Sequence, residues 1–440
     1  MVEGLVQRLR SIVGARGTAA NRPRQIDDWR QQLTECAEAR GGEVSARNRA
    51  AALAQTYLKL DDGGRHDFLR LISLEFGPAP GAVATAHAAY QAALGTDRQW
   101  DAEADLRAAL RSSRIRILTQ FNAIPQGVKF LVDLRADLLR YLDEDAELAP
   151  LDRELESRLA AWFDVGFLEL SRITWNSPAA LLEKLIEYEA VHEIRSWTDL
   201  KNRLDSDRRL YAFFHPRMPL EPLIFVEVAL TDRLADSIQA LLDEQAPVFD
   251  AHRADTAIFY SISNTQAGLR GVSFGNFLLK RVIDDLTRDF PKLRHFATLS
   301  PLPGFFPWLA KHPDELAAEG LELDAEQLAA GAWTADAATA RRVNDGLAQL
   351  AARYLTLAKA RRGDGRQPLD PVARFHLGNG ARLERINPLA DGSPKGMQQS
   401  LGIMVNYLYD LDDLEHNVES FAREGAIAMS AAVRRLARQK

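Results

Sequence analysis

Apolar residues recur at three- and four-residue spacing through the first third of the chain, the period of helices with one buried face. Short polar or Pro/Gly breaks separate these stretches. The pattern therefore predicts an all-helical bundle. The predicted helices are residues 26–38, 45–58, 67–75, 82–94, 102–121, 127–142 and 151–168.

After about residue 170 the pattern becomes mixed, because short runs rich in β-branched and aromatic residues alternate with helical stretches. An Ala-rich stretch at 310–366 is predicted to be a helical insertion, and 411–438 is predicted to be one closing helix. This order of elements indicates α/β or α+β architecture. The predicted strands are 222–230, 256–263 and 295–300, and the predicted helices between them are 232–244 and 274–290.

Composition limits the classes of protein that fit. A length of 440 residues favours two or more domains, and 46% hydrophobic with 26% charged residues is typical of a soluble globular protein. A net charge of -6 argues against nucleic-acid binding, and no apolar run is long enough to span a membrane. The single cysteine, Cys36, excludes an internal disulfide, and the absence of targeting signals favours a cytoplasmic location.

A candidate phosphate-binding loop follows the predicted strand 256–263. It contains Gly268, Gly271 and Gly275, and a helix is predicted to begin near Val272. Glycine lets a backbone approach a ligand closely, and a helix N-terminus offers N–H groups to an anion. The same pattern is also typical of a plain turn, so both interpretations stay open.

Two side chains further along are candidates for chemistry. Ser300 ends the apolar run FATLS, and Pro301 and Pro303 restrict the backbone after it. His376 lies in FHLGNGA, where we expect its imidazole to leave a short strand beside a glycine loop. Histidine is the side chain best suited to proton transfer near neutral pH. Most other histidines have no second ligand at metal spacing, and a structural role is favoured for His215, so no metal is expected.

The loop sequence RGVSFGNFLL, residues 270–279, resembles the pyrophosphate loop of the acetyltransferase (GNAT) fold. In that fold an Arg or Gln opens a pattern that ends in glycine where the helix starts. Ser273 stands where acetyltransferases usually carry the first glycine. Either its hydroxyl bonds the ligand directly or the loop is slightly displaced.

Longer segments resemble the malonyl-CoA decarboxylase family over residues 165–430. They include FYSISNTQAGLRGVSFGNFLLKRV at 259–282, LSPLPGF at 299–305, NPLADGSPKG at 387–396 and MVNYLYDL at 404–411. The resemblance implies a helical oligomerisation domain at 1–165 and a GNAT-like α/β catalytic domain with a helical insertion at 166–440, an α+β chain overall. It also implies a homotetramer.

The same resemblance implies conversion of malonyl-CoA to acetyl-CoA and carbon dioxide, in malonate or fatty-acid metabolism, without any cofactor. Its catalytic pair carries over to Ser300 and His376, and Ser261 and Tyr409 match positions that line the pocket. At Ser273 the animal members carry a glutamate, so that residue's role does not carry over. The implied coenzyme A loop consists of Arg270, Gly271, Val272, Ser273, Phe274, Gly275 and Asn276.

The implied chemistry suits these residue types. Loss of carbon dioxide leaves an enolate, which backbone N–H groups of the loop would stabilise and His376 would protonate, with Ser300 orienting the carboxylate. Ser300 is not expected to be acylated, because the chain lacks a G-x-S-x-G elbow and an identifiable triad acid. A coenzyme A dependent acyltransferase would share the loop but need no Ser300, and a non-enzymatic scaffold would need neither residue of the pair.

Overall fold

The computed structural model describes residues 22–272, 277–360 and 365–438. These residues form two compact units. The described part of the first unit comprises residues 22–167, Pro216–Pro219 and 266–272, and that of the second comprises Leu168–His215, Leu220–Thr265 and the remainder from 277 onward. No helix within the described ranges is long and apolar enough to span a bilayer.

The first unit is helical, as the periodicity predicts. Helix α7 illustrates the reason, since Val128, Leu131, Leu134 and Leu138 recur at helical spacing and are all buried. The helices are α1 (22–37), α2 (Glu43–Leu58), α3 (Asp62–Glu75), α4 (Pro80–Ala93), α5 (Gln99–Ala109), α6 (Ser113–Ala123), α7 (Gly127–Tyr141) and α8 (Ala149–Trp162).

The single helix predicted at 102–121 is wrong, because two helices, α5 and α6, occupy this range. Ser112 has an extended backbone at the start of α6 and interrupts the helical path. Its hydroxyl donates to the carboxylate of Glu154, and Arg114 pairs with the same carboxylate. These long-range contacts fix the break and leave no trace in the local pattern of apolar residues.

The second unit contains an eight-stranded mixed sheet in the order β1-β2-β3-β4-β5-β8-β6, with β7 paired to β8. All pairs are antiparallel except β4 and β5, which are parallel and are connected through α12 (Phe277–Asp289). The strands are β1 (Glu169–Ile173), β2 (Arg208–Phe214), β3 (Pro222–Thr231), β4 (Thr256–Asn264), β5 (His295–Thr298), β6 (Ser300–Pro301), β7 (Arg382–Asn387) and β8 (Met404–Tyr409).

The other helices of this unit lie between and after the strands. Before α12 they are α9 (Ala179–Tyr188), α10 (Trp197–Arg203) and α11 (Ile238–Leu241). After it come α13 (Phe305–Leu309), α14 (Pro313–Ala318), α15 (Ala325–Ala330), α16 (Ala337–Leu357), α17 (Pro371–Gly378), α18 (Pro394–Ser400), α19 (Leu414–Glu424) and α20 (Ala431–Arg438). The described residues thus confirm the predicted fold class, a helical bundle followed by an α/β domain with a helical insertion.

Two predicted helices of this unit are wrong in extent. Only Ile238–Leu241 is helical within 232–244, because the Arg385 guanidinium and the Asn406 amide donate to the backbone carbonyl of Ala235 and hold it away from a helical path. The closing helix predicted at 411–438 is divided into α19 and α20. Gly425 ends α19 with φ 66°, a conformation that favours glycine.

Candidate active site

Ser300 and His376 lie in direct contact although 76 residues separate them in the chain. The Oγ atom of Ser300 is 3.0 Å from Nε2 of His376, and both side chains are buried, with 5% and 3% of their surfaces exposed. Ser300 begins β6, which pairs with β8, so the sheet fixes the position of its backbone. The structure therefore brings together the two residues that the sequence singled out.

His376 lies on helix α17, so the prediction that it leaves a short strand is wrong. Asp370 caps this helix, since its carboxylate accepts from the backbone N–H groups of Val372 and Ala373 at 2.9 Å. Pro371 occupies the first turn, where its missing N–H costs nothing. The sequence D-P-V-A is thus a helix start, and the helix rather than a strand carries the imidazole.

Two tyrosines of β8 hold the imidazole from its other sides. The hydroxyl of Tyr409 lies 2.7 Å from Nδ1 of His376, and the ring of Tyr407 stacks on the imidazole with centroids 4.5 Å apart. Burial lowers the pKa of His376 from 6.5 to about 3 and raises that of Tyr409 well above its usual value. The cavity without substrate therefore holds a neutral imidazole and a protonated phenol at neutral pH.

Thr298 determines which way the serine proton points. The Ser300 hydroxyl donates to Oγ1 of Thr298 at 2.9 Å, and the same oxygen accepts from the backbone N–H of Tyr407 at 3.1 Å. A lone pair of Ser300 then accepts from Nε2–H of His376, while Nδ1 accepts from Tyr409. This network assigns the imidazole proton to the nitrogen that faces Ser300.

A cavity of about 230 Å³ opens beside this pair. Its wall is mainly apolar, and the Ser300 and His376 side chains supply polar groups to it. Every lining residue belongs to the second unit. The principal apolar lining residues are Val191, Phe259, Ile262, Pro301, Pro371, Val372 and Phe375.

Ser261, which the sequence also singled out, lines this cavity. Its hydroxyl donates to the carboxylate of Glu189 at 2.8 Å, and Ser263 donates to the same carboxylate at 3.0 Å. Glu189 also accepts from the backbone N–H groups of Val191 and His192 and so fixes the segment that places Val191 in the wall. Sequence reasoning missed Glu189, because nothing local connects it with β4.

The predicted coenzyme A loop is described only in part. Arg270, Gly271 and Val272 belong to the first unit, whereas Ser273, Phe274, Gly275 and Asn276 lie outside the described residues. The backbone carbonyl of Arg270 accepts from the Arg135 guanidinium at 2.7 Å, and Gly271 has φ 88°.

Gly268 has a clear packing role. A Cβ atom there would lie 1.8 Å from the backbone carbonyl oxygen of Val132 on α7, so any larger residue would force the two segments apart. The carbonyl of Gly268 also accepts from Arg135 at 2.9 Å.

Over the described residues, no group of three His, Cys, Asp or Glu side chains is arranged to hold a metal ion.

The mixed sheet with its parallel β4–β5 pair, together with the buried Ser300–His376 pair, defines an α/β enzyme domain that follows a helical domain in the chain. Profiles described as the malonyl-CoA decarboxylase N-terminal and C-terminal domains match residues 76–163 and 166–440. The chain belongs to the malonyl-CoA decarboxylase family.

Individual relatives support this membership. The chain is 37% identical over 409 residues to the mitochondrial malonyl-CoA decarboxylase of Anser anser anser, covering 86% of this chain and 80% of that relative. The solved malonyl-CoA decarboxylase of Rhodopseudomonas palustris is 42% identical, with a TM-score of 0.85 over 93% of this chain and 99% of that one. The solved Agrobacterium vitis protein is 43% identical, with a TM-score of 0.84 over 94% and 100%.

Proposed function

We propose that this chain decarboxylates malonyl-CoA to acetyl-CoA and carbon dioxide in the cavity beside Ser300 and His376. Family membership across most of the chain supports the reaction. The observation that carries the assignment of residues is the 3.0 Å contact between Ser300 Oγ and His376 Nε2 at a mainly apolar cavity. The pair supplies a hydrogen-bonding hydroxyl and a proton carrier where the acyl group would lie.

An apolar wall favours the bond cleavage. The malonyl carboxylate carries a localised charge, and loss of carbon dioxide spreads that charge over the thioester enolate. Water stabilises the localised charge more strongly than the spread one, so excluding water lowers the barrier. Val191, Val372 and Phe375 supply this environment beside the pair.

His376 is the proposed donor of the proton to the α-carbon. Burial keeps its imidazole neutral in the cavity without substrate, since its pKa is lowered to about 3. The bound malonyl carboxylate places a negative charge beside the ring and raises this pKa, because an opposite charge favours the charged form. The imidazole then takes up a proton when the substrate binds.

The reaction balances with that single proton. The C–C bond to the carboxylate breaks, its electron pair remains on the α-carbon as the enolate, and carbon dioxide leaves. The Nε2–H of the imidazolium then gives its proton to the carbon, which produces acetyl-CoA and leaves neutral His376 with its proton on Nδ1. Proton exchange with solvent returns the ring to the Nε2–H tautomer before the next turnover. Tyr409 keeps its own proton: its hydroxyl donates to Nδ1 of the resting ring and turns to accept from Nδ1–H once the ring is protonated, so it holds the ring in both states.

Ser300 is proposed to orient the carboxylate, with its hydroxyl turning from Thr298 to donate to the carboxylate when the substrate binds, and not to be acylated. In a serine hydrolase triad a carboxylate binds the histidine nitrogen that faces away from the serine. Here a phenol, Tyr409, occupies that place at 2.7 Å. Because this partner of His376 is a neutral phenol and not a carboxylate, the arrangement favours a hydrogen-bonding role for Ser300 over nucleophilic attack by its oxygen.

The remaining parts of the proposal rest on the family resemblance. Backbone N–H groups of the 270–276 loop are proposed to bind the coenzyme A part and to stabilise the enolate oxygen. The reaction is proposed to need no cofactor. A homotetramer assembled through the helical domain and a cytoplasmic location stay predictions.

The test is turnover of malonyl-CoA by purified parent, Ser300→Ala and His376→Gln proteins, without acceptor or added metal. Acetyl-CoA and carbon dioxide are measured together. We expect equimolar products from the parent and a fall in kcat on the order of 100-fold or more in both variants. A folded parent that releases no carbon dioxide but transfers acetyl groups from acetyl-CoA to an amine would be an acyltransferase instead.

A further inference from the structure

Asp370 is a buried carboxylate whose two oxygens have different partners. Its side chain is fully buried at the N-terminus of α17. Oδ1 accepts from the backbone N–H groups of Val372 and Ala373, and Oδ2 accepts from the hydroxyl of Tyr354 at 3.2 Å. The backbone N–H of Gly304 also donates to this carboxylate. Four donors from three segments thus meet at one side chain.

Those segments carry the reactive pair. Val372 and Ala373 form the first turn of the helix that bears His376, and Gly304 follows Ser300 by four residues. Tyr354 lies on α16 and packs against Phe305, the residue after Gly304, with ring centroids 5.7 Å apart. The carboxylate therefore connects the backbone of the serine segment with the backbone of the histidine helix.

We propose that Asp370 is a positioning residue that sets the Ser300–His376 contact by holding the histidine helix against the serine segment. This inference rests on the proposed function of that pair. Asp370 has no contact with the imidazole itself among its described bonds, so it acts through the backbone. A shift of one segment by about 1 Å is enough to reduce a rate about 100-fold.

Asp370→Asn keeps the size of the side chain and changes its charge and its hydrogen-bonding groups. An amide has one acceptor oxygen and one donor NH2 group, so it cannot accept from α17 on one side and from Gly304 on the other. We expect kcat for malonyl-CoA to fall about 10- to 100-fold while KM changes less than about threefold. Asp336→Ala is the control, because Asp336 also caps a helix, α16, but is exposed and lies at the opposite end of that helix from Tyr354.

A compensating pair of substitutions tests the connection while Asp370 keeps its bonds to α17 and Gly304 and loses only the Tyr354 hydroxyl. A Cβ atom on Gly304 would lie 2.2 Å from the Tyr354 hydroxyl oxygen, and the next nearest atoms would be at 3.4 and 3.5 Å. Gly304→Ala should therefore displace the tyrosine or the serine segment and reduce kcat. Adding Tyr354→Phe removes the clashing oxygen. The kcat of the double variant should therefore be at least tenfold higher than that of Gly304→Ala alone.

The outcomes separate the two proposals. Loss of kcat in Asp370→Asn, with Asp336→Ala like the parent and recovery in the double variant, supports positioning by Asp370. If the parent turns over and Ser300→Ala and His376→Gln do not, but Asp370→Asn and Gly304→Ala keep parental kcat, only the positioning role is refuted. A folded parent without turnover refutes the proposed function itself. Thermal unfolding of each variant, with kcat measured well below the midpoint, removes misfolding as an explanation.

Discussion

The lowered pKa of His376 predicts how the stability of this protein depends on pH. The unfolded chain takes up a proton on this imidazole near pH 6.5, whereas the folded chain does so only near pH 3. Between those values the unfolded state binds more protons, so acidification favours unfolding. The cost of keeping the imidazole neutral is absent above about pH 7, grows as the pH falls below 6.5 and levels off below about 3.

The size of this effect follows from the two pKa values. Between the two pKa values, each pH unit below 6.5 lowers the free energy of unfolding by about 1.4 kcal/mol. At pH 5 the unfolded state gains about 2 kcal/mol relative to neutral pH through this one side chain. Such a loss is a large fraction of the free energy of unfolding of a typical domain.

His376→Gln removes the titrating group and leaves an amide that can hydrogen bond. The assay is urea unfolding of parent and variant at a series of pH values between 5 and 8. We expect the difference in the free energy of unfolding between the two proteins to shift by about 2 kcal/mol in favour of the variant on going from pH 8 to pH 5. The difference between the two proteins cancels the contributions of other titrating groups. One of these is His192, since burial lowers its pKa to about 4.

Ser300→Ala is the control for this measurement. It removes a hydrogen bond of the same imidazole but no titrating group, and burial is the cause of the lowered pKa. Its free energy of unfolding should therefore run parallel to that of the parent across the pH range. If the free energy of unfolding of His376→Gln also runs parallel to that of the parent across the pH range, the folded protein does not hold the imidazole neutral, and the lowered pKa of His376 is refuted.

Three further predictions follow from the structure. Tyr409→Phe removes the partner of His376 Nδ1, so kcat for malonyl-CoA should fall about 10- to 100-fold, whereas an unchanged kcat would show that the phenol does not hold the ring. Thr298→Val leaves the buried N–H of Tyr407 without its hydroxyl acceptor, so urea unfolding should show a loss of about 1–3 kcal/mol, and no loss would contradict the assigned network. Helices α4 and α5 bury none of their residues and Trp100 is 74% exposed, so we predict that this surface is a contact of the proposed homotetramer and that sedimentation shows smaller species for Trp100→Glu than for the parent. An assembly of parental mass would exclude this surface as the contact.

The sequence predicted the helices of the first unit well, because their cores repeat at the helical period. It predicted β3, β4 and the run that contains β5 from continuous apolar stretches. It missed β1, β2, β7 and β8. In β7 the sequence RLERIN is largely polar. In the fold those polar side chains are satisfied by distant partners: Arg382 by Asp410, and Arg385 by Asn406. Such partners are invisible to any local pattern.

The site was predictable only in part for the same reason. Ser300 and His376 were candidates from their local sequence, but their pairing came from the family resemblance, and no periodicity indicates that residues so far apart touch. Thr298 had a local signal, because it precedes Ser300 by two residues and so shares its side of an extended chain. Glu189 and Asp370 had none, since each acts through backbone groups that only the fold brings near.

The most direct test of the mechanism is the exchange of the α-hydrogens of acetyl-CoA in D2O, followed by mass spectrometry. This reaction runs the last step backwards, so it needs the proton carrier but has no carboxylate to orient. We expect the parent to exchange these hydrogens, Ser300→Ala to stay within about tenfold of the parental rate, and His376→Gln to be slower by on the order of 100-fold. Exchange by His376→Gln at the parental rate would contradict the assignment of His376 as the residue that delivers the proton to carbon.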